Sequence, residues 1–130
     1  MVDSLNKGSE KAMRRMLPPT PDVIGGLTKD ASIRTVLTRL TKRFGVDSFA
    51  IADDWEADLF AIGIANPIQP RKRMYISTFR LAKGSYYCEL EVETEEGSSF
   101  PYVVVGRFEK LDFEGLVVAF AQHLGSDDRG

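Results

Sequence analysis

The stretch "RMYISTFRLAKGSYYCELEV", Arg73 to Val92, decides the fold. Its first part sets Met74 and Ile76 against Tyr75, Ser77 and Phe79 on the other side. Its last part groups Tyr86, Cys88, Leu90 and Val92 against Tyr87, Glu89 and Glu91. A period of two is the mark of a strand with one buried face. "LAKGS", Leu81 to Ser85, reads as the turn between the two runs, and so short a connection makes them antiparallel neighbours. Centring the pair on that turn sets Met74 opposite Val92, Ile76 opposite Leu90 and Arg73 opposite Glu93.

The same period extends outward in both directions. "SFAIA" alternates Phe49 and Ile51, and "LFAIGIA" alternates Phe60, Ile62 and Ile64 with small residues. "YVVVGRFE" groups Tyr102, Val104, Gly106 and Phe108, and closing this hairpin brings Val104 to Val92 and Arg107 to Glu89. Five strand segments result, joined by short polar or Gly/Pro connections. On either side the period changes to that of a helix. After Asp30, a good N-cap, come Ile33, Val36, Leu37, Leu40 and Phe44, then Gly45 as C-cap. After Asp112 come Phe113, Leu116, Val117, Phe120 and Leu124, then Gly125 as a second C-cap. The expected fold is α+β: two layers, one antiparallel sheet of about five strands packed against an N-terminal and a C-terminal helix.

With 130 residues and a net charge of −2, the chain reads as one domain of ordinary globular composition. Residues 1–29 hold Pro18, Pro19 and Pro21 and a charge of +2, leaving −4 on the remainder. They read as an N-terminal tail or docking segment, residues 30–126 as the domain and 127–130 as a frayed end. The N-terminus has no apolar run of the secretory kind, and "LFAIGIA" is too short to span a bilayer. One cysteine, Cys88, excludes an internal disulfide and fits a reducing compartment. A cytoplasmic location with no membrane contact is therefore expected.

The row Glu89, Glu91, Glu93 and Glu95 reads first as a solvated strand face, neutralised by arginines across the sheet. No metal site is expected: there is one histidine, and no ligand spacing of the zinc or calcium kind. No cofactor is expected either, since neither a dinucleotide fingerprint nor a nucleophile elbow is present. Arg39, Lys42 and Arg43 complement the end of a helix and lack interleaved aromatics, so nucleic-acid binding is not expected. "DDWEAD", Asp53 to Asp58, stands between the first two strands and carries the single tryptophan, Trp55. Trp55 either folds back onto the core or anchors a basic partner within its ring of acids.

"AIGIANP", "RMYISTFRLAKGSYYCELEV" and "YVVVGRFEKLDFEGLVVAFAQHL" together resemble small bacterial immunity proteins of toxin and interbacterial competition systems. That resemblance implies a non-enzymatic protein that binds and blocks a partner. The candidate contact residues are Asp53, Asp54, Trp55, Glu56 and Asp58, with Tyr87, Glu89 and Glu91 on the open sheet face. The partner expected is a basic protein such as a toxin. Two alternatives stand beside this: a small-molecule carrier or enzyme with a pocket between sheet and helices, using Tyr86, Cys88 and His123, and a structural subunit that homodimerises through the sheet.

Overall fold

A computed structural model of the chain describes residues 16–53, 56–94 and 102–125. Its elements run α1 (Pro21–Gly25), α2 (Ala31–Phe44), β1 (Ala50–Ile51), β2 (Ala61–Ala65), β3 (Lys72–Ser77), β4 (Tyr86–Glu93), β5 (Tyr102–Leu111) and α3 (Phe113–His123). The strands form one antiparallel sheet in the order β1-β2-β3-β4-β5. This is the expected α+β fold, with α1 as an added turn of helix.

The caps form where the side chains dictate. Asp30 accepts from the Ser32 amide at 3.0 Å, and Asp112 from the Gly115 amide at 2.8 Å. Gly45 ends α2 with φ 104°, a conformation that suits a residue without a Cβ. Beyond α3 the C-cap is Leu124, and Gly125 serves differently from its expected role. A Cβ on Gly125 would stand 2.3 Å from the Ala121 carbonyl oxygen, so glycine is needed there for close approach.

The pairing puts Ile64, Met74 and Leu90 in one row across the sheet, and Ile62, Ile76, Cys88 and Phe108 in the next. Both rows join the core with Ile33, Val36, Leu37 and Leu40 of α2 and Leu116, Val117 and Phe120 of α3. Phe120 locks the layers: it stacks on Phe44 at 4.2 Å and meets the edge of Phe49 at 5.6 Å. The helices thus cover one sheet face; on the other, Ala61, Ala65, Ser77 and Glu91 are buried too, and Tyr75, Tyr87 and Glu89 are half-buried.

Three expectations are corrected. First, the β3–β4 register is displaced by two residues: Met74 faces Leu90, Ile76 faces Cys88, and Arg73 faces Glu91 instead of Glu93. The connection is longer than "LAKGS" and contains two successive turns. Leu81 donates to the Thr78 carbonyl and Ser85 to that of Ala82, with Arg80 at φ 59° and Gly84 at φ 85°. An even displacement keeps every side chain on its expected face. Second, β5 slips against β4 between Leu90 and Glu91. Gly106 faces Leu90 but Val104 faces Glu91, so Val105 is an extra residue. The bulge turns Tyr102 and Val104 away from the core row they were expected to join. Third, residues 16–29, expected in the tail, belong to the packed domain. Leu17 and Ile51 exchange backbone hydrogen bonds of 2.9 and 2.7 Å, and Ile24 is a core residue. Residues 1–15 lie outside the described residues.

Candidate functional site

The acidic turn and the open sheet face were separate candidates, and the structure treats their carboxylates very differently. Asp54 and Trp55 lie outside the described residues. Asp53 forms an ion pair with Lys29 at 2.8 Å, and both side chains are largely buried. Lys29 Nζ also donates to the Asp58 carbonyl at 2.7 Å. The Asp58 carboxylate accepts from the Phe60 amide at 3.0 Å, which folds the chain back into β2. Asp53 and Asp58 are therefore tied into the fold, and the expectation that both line an open acidic ring is corrected. Glu56 remains exposed, at the edge of a groove of about 400 Å³ bordered by Leu17, Leu27 and Ile51.

The open face is built by strand alternation. Gly63, Tyr75, Glu89 and Arg107 form one row across β2 to β5, and Ala61, Ser77 and Tyr87 the row beside it. Gly63 and Ala61 of β2 are buried on this side as well, while β3 and β4 supply rings. Tyr75 and Tyr87 meet edge to face at 6.1 Å. The Tyr87 hydroxyl donates to the Glu89 carboxylate. Arg107 approaches the same carboxylate at 3.4 Å, as the sequence pairing predicts.

These contacts push both phenols further from ionisation. Burial, then the hydrogen bond and negative charge of Glu89, push Tyr87 up to about 12. Tyr75 is raised by burial first and by the charges of Asp58 and Glu89 after it. Asp58, at the foot of the acidic turn, thus acts on Tyr75. Glu91 departs from the expected solvated row: it lies opposite Arg73 and is only 1% exposed.

Tyr75, Phe79, Tyr87, Tyr102, Glu89, Glu91 and Glu109 line a groove of about 520 Å³, with Ser77 and Leu81 completing it. Among the described residues its lining holds three carboxylates, four aromatic rings and no lysine or arginine. Tyr75, Phe79, Tyr102 and Glu109 were not singled out as site residues. A signal for two of them was present: Tyr75 and Phe79 alternate with the core residues Met74 and Ile76, so two large rings had to face away from the core. Tyr102 carried no such signal, because the bulge that turns it outward leaves no trace in the alternation.

The alternative set has a different environment. Tyr86, Cys88 and His123 are all buried. His123 Nε2 lies 2.9 Å from the Glu91 carbonyl oxygen, pinning α3 to β4. Burial, with the charges of Glu89 and Glu91, pushes the Cys88 thiol up to about 12, far from the thiolate a nucleophile requires. Among the described residues no group of three His, Cys, Asp or Glu side chains is placed to hold a metal ion, and no helix is long and apolar enough to cross a membrane. Comparison of the chain with protein-family models, curated proteins and solved structures returned no match.

Proposed function

We propose that the protein is a non-enzymatic binding module that holds a basic partner protein against the open face of its sheet. The groove carries this reading: aromatic rings and carboxylates are gathered there, and its lining contains no cation among the described residues. Aromatic side chains give large contact area at small entropic cost, and one sign of charge selects the partner and speeds encounter. The two raised phenols keep their protons at neutral pH, so the groove presents neutral rings beside Glu89 and Glu109, with Arg107 next to Glu89. Inhibition by occlusion, as the resemblance to immunity proteins implies, needs no more chemistry than this. Such a protein would work in the cytoplasm, where its partner must be neutralised.

Site-specific photocrosslinking in cells tests the proposal. A photoreactive residue at position 79, on the groove, should capture a basic protein. One at position 118, exposed on α3, should not. Adding Glu89→Lys and Glu109→Lys should abolish the adduct from position 79. Equal capture from both positions, or an adduct indifferent to the charge reversals, would refute the proposal.

A further inference from the structure

The bulge at Val105 does more than turn Tyr102 outward. It leaves three consecutive valines at the surface of β5: Val103 is 49% exposed, Val104 38% and Val105 57%. Edge strands are ordinarily guarded by charge. On β5 the charges Arg107, Glu109 and Lys110 all lie in the second half, and the valine half carries none. Val104 faces Glu91 across the strand pair, and Tyr102 faces Glu93. Of the three valines, Val104 therefore stands beside the carboxylate-lined groove, paired with Glu91.

Taking the open face as the binding surface, we infer that its occupant is an extended segment with a lysine or arginine two residues from a large aliphatic residue. The cation enters beside the Tyr75–Tyr87 pair against the Glu89 carboxylate, which it shares with Arg107 and the Tyr87 hydroxyl, and the aliphatic side chain lies on Val104. Charge complementarity selects the cation, and the ring faces reinforce it. Geometry sets the spacing. Glu89 and Val104 are diagonal neighbours across β4 and β5, which places them roughly 7–8 Å apart. Same-face side chains two residues apart on an extended chain are separated by about the same distance, roughly 7 Å.

The test is a nuclear magnetic resonance titration of the full-length, isotope-labelled chain. The probe is a synthetic Gly/Ser peptide with Lys-Ser-Leu at its centre. Saturable shifts are expected at Tyr75, Tyr87 and Val104. Replacing the peptide lysine by acetyl-lysine, or its leucine by serine, should each weaken binding by roughly tenfold. Val104→Lys in the protein should weaken it similarly while leaving the Tyr75 and Tyr87 signals of the free protein in place. No shift at millimolar peptide, or equal affinity for the acetylated peptide, overturns the inference. If crosslinking from position 79 still captures a basic protein, the open face keeps its role and only the segment falls. Failure of both experiments removes both.

Discussion

β4 presents two unlike surfaces from one strand. Its core side, Tyr86, Cys88 and Leu90, is buried among aliphatic and aromatic neighbours. Its other side, Tyr87, Glu89 and Glu91, joins rings to carboxylates. The first surface is explained by folding: apolar area removed from water at about 25 cal/mol per Å². The second is not. A row of threonines and lysines would serve a solvated strand as well, without three tyrosines and a phenylalanine around a groove. The contrast separates residues retained for stability from those whose role must be sought outside the fold.

The largest expected effect comes from cutting the core face beside an intact outer face. Ile76 is fully buried and lies between Ile62 and Cys88. Ile76→Ala should cost about 2–5 kcal/mol, the transfer term plus the cavity left behind. Its neighbour on the other face, Tyr75→Ala, should cost about 1 kcal/mol. Denaturant midpoints at unchanged slope measure both. Equal losses would mean that the outer ring cluster is a second core, and the comparison would collapse.

A similar division runs through the carboxylates. Removing Asp53 strands the buried ammonium of Lys29, so Asp53→Ala should destabilise by roughly 3 kcal/mol. Glu89→Ala removes a pair whose arginine is mostly exposed and should cost under ~1 kcal/mol. Comparable losses at the two positions would mean that Glu89 belongs to the scaffold.

The fold was legible because its signals are local and redundant. Alternation assigned faces, aspartates marked both helix starts, and helical spacing identified both buried stripes. Those signals survive a displacement of two residues, which is why the β3–β4 register could be wrong while every face was right. The site was legible only in part. Tyr87, Glu89 and Arg107 follow from alternation and loop closure. Tyr102 and Val104 do not, because a bulge reverses a face without altering composition. Nor could Asp53 be told from an exposed acid. Its partner Lys29 is 24 positions away, in a segment whose prolines read as a tail.

Alkaline pH tests the two sides of β4 in a graded way. The Cys88 thiol is raised from 9.0 to about 12, so the folded protein holds this proton where the unfolded chain releases it. Stability should be fully present below pH 9 and fall as pH rises from there towards 12. The slope for one such group is about 1.4 kcal/mol per pH unit. Tyr87, raised from 10.0 to about 12, adds a loss of the same sign that begins one unit higher. Cys88→Ala should remove the earlier part of the decline and Tyr87→Phe part of the later one. A stability curve indifferent to Cys88→Ala between pH 9 and 10 would contradict the burial assigned to the core side.

The smallest expected change in stability should accompany a large change in binding, at Phe79. Its ring is 54% exposed beyond the end of β3, touching Phe60 at 5.7 Å and approached by the Arg80 guanidinium at 5.2 Å. It borders the groove and is not part of the buried core. Phe79→Ser should therefore shift the denaturation midpoint by the equivalent of only about 0.5 kcal/mol. A partner seated in the groove would lose a large ring from its contact. Truncating such an anchor commonly costs about 2 kcal/mol or more in binding, roughly thirtyfold in Kd. The two measurements must diverge: midpoint nearly unchanged, capture of the basic partner strongly reduced. A variant that loses several kcal/mol of stability would place Phe79 in the scaffold. One that keeps both stability and capture would move the binding surface off this groove.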